Sequence, residues 1–142
     1  IDVSHCSPDW LEFEITESCV MHSVGRTIER LNALCEMGIT LSIDDFGTGY
    51  SSLSYLKRLP ISKLKIDRSF VHDIPDDAND VAITRAIIAL GDNLQLQIIA
   101  EGVETVDQAQ FLLDEGCQYA QGFLYHPPQP ADDVTKLLNS LS

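Results

Sequence analysis

The sequence predicts an α/β fold with parallel strands, built from about five βα units. Short strand patterns alternate with segments whose apolar residues recur at helical spacing. Gly or Pro stops several of those helices. Each strand also delivers a polar side chain at or near its C-terminal end.

Leu11 to Ile15 (LEFEI) alternates apolar and acidic residues and predicts the first strand. Val20, Val24, Ile28, Leu31 and Leu34 predict a helix over 20–37, stopped by Gly38. A second strand is expected over 40–43, a short helix over 52–59 before Pro60, and a third strand over 63–66. Ile83, Ile87 and Leu90 give one apolar face to a helix over 80–90. Gln95 to Ala100 (QLQIIA) reads as the fourth strand. Thr105 and Gln108 form a capping box for a helix that runs to Glu115, where Gly116 ends it. A short fifth strand is expected over 118–121, and Val134, Leu137, Leu138 and Leu141 line a last helix. Alternation of this kind predicts a parallel sheet covered by helices.

A chain of 142 residues is long enough for one domain with a substantial core. Its net charge of −13 argues against a nucleic-acid polymer or an anionic membrane as the main partner. A small phosphate ligand held through metal cations stays compatible with it, because acidic clusters suit hard divalent ions. Cys6, Cys19, Cys35 and Cys117 show no metal or redox spacing and are expected to be reduced, mostly buried thiols. No apolar run reaches the length of a membrane span, and nothing resembles a signal peptide. The chain begins at Ile1 without a methionine, which points to a piece of something longer.

The polar residues at the strand ends are Glu14, Asp44, Lys65 with Asp67, Glu101 and Gln121. Period-two alternation puts Glu12 and Glu14 on one face, Ser42 with Asp44, and Lys65 with Asp67. In a (β/α) barrel the inward side chains at the strand ends line the mouth, where active sites form. A single carboxylate after a strand is ordinarily a helix cap or a solvated charge. Asp44 and Asp45 are adjacent and repel each other, and a bound cation relieves that repulsion. Lys65 either pairs with Asp67 or another carboxylate, or holds a water or phosphate oxygen in a metal site.

The stretches EITES (14–18), DDFGTGYSSL (44–53), KID (65–67), AEGVET (100–105) and QGF (121–123) resemble the EAL-domain phosphodiesterases. They stand in the family's order and cover nearly the whole chain. The resemblance implies a TIM-type (β/α) barrel, of which these residues would be the C-terminal part. It also implies a bacterial cytoplasmic enzyme, within a longer multidomain protein, that hydrolyses cyclic di-GMP to linear pGpG with two Mg2+ or Mn2+ ions. By that likeness Glu14, Asp44 and Asp45 would be metal ligands and Lys65 would contact the attacking water. Glu101 would bind or position at the metal site, Gln121 would help hold water and ligand, and Asp67 would contact the substrate. Glu17 would anchor the loop from Asp45 to Ser52 by hydrogen bonds, and Gly47 and Gly49 would let that loop adjust over the site. A homodimer is expected, since the family's equivalent loop lies near a dimer contact.

Two departures accompany the likeness. The family's Glu-Ala-Leu motif and an Asn metal ligand have no counterpart here, and about three of the eight expected βα units are absent. A fragment, two copies completing each other, or a shortened regulatory module would each explain this. QGFLYHPPQP (121–130) also carries His126 and Pro127 where the family has a serine and a basic residue. The chain alone is therefore expected to be inactive or severely weakened. The alternatives are a non-catalytic module that binds cyclic di-GMP or dimerises, and a half-barrel without any ligand.

Overall fold

The computed structural model describes residues 6–17, 19, 24–49 and 53–140. Five strands lie side by side in chain order: β1 (Glu12–Thr16), β2 (Thr40–Phe46), β3 (Lys63–Ile66), β4 (Gln97–Ala100) and β5 (Tyr119–Ala120). Every neighbouring pair is parallel. The connections carry α1 (Val24–Glu36), α2 (Leu53–Leu56), α3 (Arg68–Val71), α4 (Ala78–Leu94) and α5 (Val106–Asp114), and α6 (Ala131–Ser140) follows β5. A short 3-10 turn, Pro8–Trp10, leads into β1.

The pleat sorts the sheet into two unlike faces. Leu41, Ile43, Leu64, Ile66, Ile98 and Ala100 point to the helix-covered face and are buried. All of these but Leu41 pack with Val71, Ile74, Ile87, Ile88 and Leu112 in the main core. Burying a side chain of this size contributes about 1.5–3 kcal/mol. A smaller cluster, Leu31, Ile39 and Leu41 with Leu34 and Cys35, seats α1 against β2. The opposite face carries Glu12, Glu14, Ser42, Asp44, Lys63, Lys65 and Gln97. The functional residues are therefore gathered on the inner face because the apolar alternates need the helices.

The helix ends follow their local chemistry. Thr105 and Gln108 form the expected capping box, and Gln108 also donates to the His72 carbonyl at 2.8 Å. Asp77 caps α4 by accepting from the amides of Asn79 and Asp80. Gly38 and Gly116 close their helices at positive φ.

Several elements differ from expectation. Strand β2 runs on through Asp44 and Asp45 to Phe46. Helix α4 is longer at both ends, and Gln95 is its left-handed C-cap, not strand. Helix α3 was not expected; four residues are too few to show a period, and its start is set by the Asp67 cap. Helix α2 covers only Leu53–Leu56 of the expected 52–59, and Ser52 lies outside the described residues. Strand β5 is two residues long. Val20 and Leu141, expected on helix faces, lie outside the described residues. Ile83 and the Val134 and Leu138 face of α6 are exposed, as is Phe13 on β1. The expectation of mostly buried thiols is also corrected: Cys117 is buried, Cys6 and Cys35 are half-buried, and Cys19 is exposed.

Candidate functional site

The end of β2 breaks the rule that adjacent strand residues point to opposite faces. Ile43 pairs with Leu64 and Phe46 with Ile66, so three steps on β2 match two on β3. This is a β-bulge, a device that re-aims side chains next to active sites. Asp45 sits inside it at φ 54°, a conformation Asp tolerates better than most residues. As a result Asp44 and Asp45 both reach Glu101, which follows β4. One carboxylate oxygen from each of the three lies within 4.8 Å of the others.

Lys65 is the hub of the cluster. Its ammonium is buried and lies 2.5 Å from Glu101 Oε1, 2.6 Å from Glu14 Oε1 and 3.3 Å from Asp44 Oδ1. Burial by itself would lower the lysine pKa. The bonds to Glu101 and Glu14 and the charges of Glu101 and Asp44 outweigh burial and hold it well above its ordinary value. Lys65 is thus a fixed cation and donor, not a base, at neutral pH. Glu101 is displaced upward, mainly by burial, and the charges of Asp44 and Glu14 act against the favourable contact with Lys65.

Gln121, just past β5, donates from Nε2 to Glu101 Oε1 at 2.7 Å. Asp67 caps α3, accepting from the Ser69 amide at 2.9 Å and from the Ser69 hydroxyl. Burial raises its carboxyl, but the Ser69 bonds, Asp45 and Arg68 bring it below the usual range. Asp45 moves the other way, raised by burial and by the nearby charges of Asp44 and Asp67.

Glu17 is buried just beyond β1, and its Oε2 accepts from the amides of Gly47 and Gly49 at 3.2 and 3.3 Å. A Cβ at Gly49 would lie 2.7 Å from Glu17 Oε1, so a larger residue there would push the Glu17 carboxylate from its place against the loop amides. Gly47, at φ 102°, turns the chain where a Cβ would meet the Phe70 ring at 2.8 Å. The rest of the loop, 50–52, lies outside the described residues. Beside Glu101 and Gln121 opens a cleft of about 540 Å3 whose other walls include Arg68, Phe123 and His126. Arg68 supplies a cation to the cleft whose loop has Pro127 where a basic residue was expected.

The fit to a hard cation can be judged from the donors. Asp44 Oδ1 is buried without a hydrogen-bond donor aligned to it, although Lys65 is close. With one oxygen each from Asp45 and Glu101, Asp44 makes a set of three carboxylate donors, the ligand type that Mg2+ and Mn2+ take. The structure therefore brings Asp44 and Asp45 together with Glu101, whereas Glu14 is joined to them through Lys65. Lys65 does not pair with Asp67, one of the partners considered from sequence. Two inner-face residues escaped notice as a pair: Lys63 Nζ contacts Glu12 Oε2 at 2.5 Å. The signal was present, since each stands two residues before its counterpart Lys65 or Glu14.

Among the described residues, no helix is long and apolar enough to cross a membrane. The family model of the EAL domain matches residues 1–128. A cyclic di-GMP phosphodiesterase of Pseudomonas aeruginosa, NbdA, is 48% identical over 92% of this chain and 17% of its own length. MucR of the same organism, a bifunctional diguanylate cyclase and cyclic di-GMP phosphodiesterase, is 52% identical over 89% of the chain and 18% of its own. A solved MucR phosphodiesterase in complex with c-di-GMP superposes with a TM-score of 0.89 at 50% identity, covering 93% of this chain and 54% of that one. BlrP1 of Klebsiella pneumoniae, solved with manganese and cyclic di-GMP, gives 0.79 at 36% identity, over 86% of this chain and 31% of that one. The chain thus spans under a fifth of those curated relatives and about half of the solved MucR chain. The family model covers nearly the whole chain and the solved MucR domain shares its fold at half identity, so the chain belongs to the EAL domain family.

Proposed function

We propose that this chain carries the C-terminal part of a cyclic di-GMP phosphodiesterase domain, which hydrolyses the cyclic dinucleotide to linear pGpG. The observation that carries this reading is the convergence of Glu14, Asp44 and Glu101 on the buried Lys65 ammonium, with Asp45 turned toward the same point by the bulge. A buried cation ringed by carboxylates at strand ends is not needed to hold the sheet together, because the opposite face already carries the apolar core. The family membership and the cyclic di-GMP named for MucR and BlrP1 support the substrate.

Asp44 and Asp45, with Glu14 and Glu101, would hold two Mg2+ or Mn2+ ions. Such ions supply Lewis acidity toward a phosphodiester and its attacking water. Lys65 donates to the oxygen that approaches phosphorus and keeps positive charge beside it. Gln121 fixes the orientation of Glu101 and reaches the ligand side of the same carboxylate. Asp67 contacts the substrate from the start of α3. Glu17 holds the backbone of Gly47 and Gly49, which sets where Asp45 stands. The cleft bounded by Arg68, Phe123 and His126 accommodates part of the dinucleotide outside the reacting centre.

Further βα units N-terminal to residue 1 would complete the barrel and the ligand set, so this chain alone would be inactive or severely weakened. A homodimer and a bacterial cytoplasmic location, in a longer signalling protein, complete the proposal. The test is turnover of cyclic di-GMP by the intact protein with Mn2+ or Mg2+, the products separated by chromatography. Appearance of pGpG is expected. Tight binding of cyclic di-GMP without cleavage in either metal would instead favour a binding module.

A further inference from the structure

We propose that Glu12 is a positioning residue that keeps Lys63 off Glu14, leaving Glu14 to Lys65 and to a bound cation. This inference rests on the metal-dependent reading above and deepens it by one layer of the inner face.

The inner face holds two lysines and two glutamates in adjacent layers. The register puts Glu14 opposite Ser42, and Ser42 opposite Lys63. Lys63 is therefore level with Glu14, two strands away. Its actual partner is Glu12, two residues further down β1 and so about 6.6 Å lower along the strand. Lys65 does the same one layer up. It stands beside the Asp44 bulge, level with the end of β1, yet bonds Glu14 below it. Both lysines therefore reach a glutamate one layer beneath their own, Lys65 while also bonding Glu101 above it and Lys63 with Glu12 as its ion-pair partner among the described residues.

The pairing is a choice between carboxylates, and the strand between them does not enforce it. Ser42, at the intervening position, is a short side chain, fully buried, whose hydroxyl lies against the Glu12 carboxylate and, with Lys63, favours its charged form. It neither blocks Lys63 from crossing toward Glu14 nor offers it another partner. Glu14 Oε1 is already engaged by Lys65. Its second oxygen is the one a cation and Lys63 would contend for. The bond from Lys63 to Glu12, at 2.5 Å, settles that contest by giving Lys63 a carboxylate of its own. Without the Glu12 charge, the nearest strand carboxylate level with Lys63 is Glu14. A second ammonium on Glu14 would oppose a divalent ion there and draw the carboxylate away from Lys65.

The experiment uses Glu12→Gln, Lys63→Met and the double variant in the intact protein. A crystal structure of Glu12→Gln is expected to show Lys63 Nζ bonded to the Glu14 carboxylate; Lys63 turned to solvent or still on residue 12 would overturn the proposal. Mn2+ titration followed by electron paramagnetic resonance gives the second readout. Glu12→Gln is expected to weaken binding about tenfold, the scale of one extra unit charge several ångströms away. Lys63→Met, and the double variant, are expected to stay within about twofold of wild type, so that the cycle is strongly non-additive. Lys63→Met tightening Mn2+ as much as Glu12→Gln weakens it would mean simple long-range charge and would overturn the proposal. So would a double variant as weak as Glu12→Gln alone. The two readings separate cleanly: a wild type that binds Mn2+ and follows the cycle without cleaving cyclic di-GMP refutes the enzyme and keeps the role of Glu12. If the wild type binds no Mn2+, the Glu12→Gln crystal structure decides alone.

Discussion

Lys65 on β3 meets Glu101 beyond β4 at 2.5 Å, with the lysine side chain only 5% exposed. A lysine buried this far loses its hydration and must be repaid by anions. Glu101, Glu14 and Asp44 do so from three other strand ends. The same contacts that keep the ammonium charged also hold three carboxylates in one place, and that crowding is what suits the site to cations.

Replacing Lys65 by Met leaves Glu14, Asp44 and Glu101 facing one another without their shared cation. A loss of about 1–3 kcal/mol is expected in urea denaturation of the metal-free protein, below the cost of breaking a fully buried pair because Glu14 is half exposed. Since the folded-state pKa of Lys65 is raised, its stabilisation is complete below the ordinary lysine value of about 10.4 and fades only as pH rises through the higher folded value. The difference between wild type and Lys65→Met should therefore be flat from about pH 7 to 9 and shrink only in strong alkali.

Asp45→Asn should act in the opposite sense. The carboxyl of Asp45 is raised by burial and by Asp44 and Asp67, so its ionised form costs stability at neutral pH. Asn keeps the left-handed conformation at φ 54° while removing the charge. The metal-free protein should gain about 0.5–1 kcal/mol near pH 7 after solvent screening. The gain should disappear as pH falls through the raised Asp45 value toward that of the unfolded chain. Mn2+ affinity should fall in the same variant, which separates the cost of the charge from its use.

Glu17→Ala removes the acceptor for two loop amides. The expected loss is about 1–3 kcal/mol, held down because one Glu17 oxygen is itself buried without a partner. Hydrogen exchange at Gly47 and Gly49 should accelerate far more than at Ile66 in the core. Uniform acceleration across the sheet would mean that Glu17 supports the fold generally.

Gly47→Ala meets two obstacles, a positive φ of 102° and the Phe70 ring 2.8 Å from the new Cβ. A destabilisation of about 1–3 kcal/mol is expected in thermal unfolding. Phe70→Leu, made in the same background, should recover part of it by clearing the contact; no recovery would assign the whole effect to the backbone.

The sheet was legible because its apolar residues alternate strictly where helices cover them, as in Leu41, Ile43, Leu64 and Ile66. The polar strand ends were legible for the complementary reason. The bulge was not, because nothing in Asp44-Asp45 announces that β2 continues past the carboxylates with an extra residue. That bulge is what groups Asp44 and Asp45 with Glu101, a set that spacing along the chain cannot reveal. Helix α3 escaped because it depends on one cap, Asp67, more than on periodicity. The Glu12–Lys63 pair depends on strand register, and register appears only when strands are laid side by side. The apolar face of α6 was read correctly as a pattern, but its Val134 and Leu138 are exposed, which periodicity alone cannot decide.

The most direct measurement is steady-state cleavage of cyclic di-GMP by the intact protein in Mn2+, wild type beside Lys65→Met. Formation of pGpG by the wild type is expected, with a loss of about a hundredfold or more in kcat for the variant, the scale for removing a preorganised charge at the reacting atoms. Binding of cyclic di-GMP with no cleavage by the wild type, or equal turnover in both proteins, would contradict this expectation.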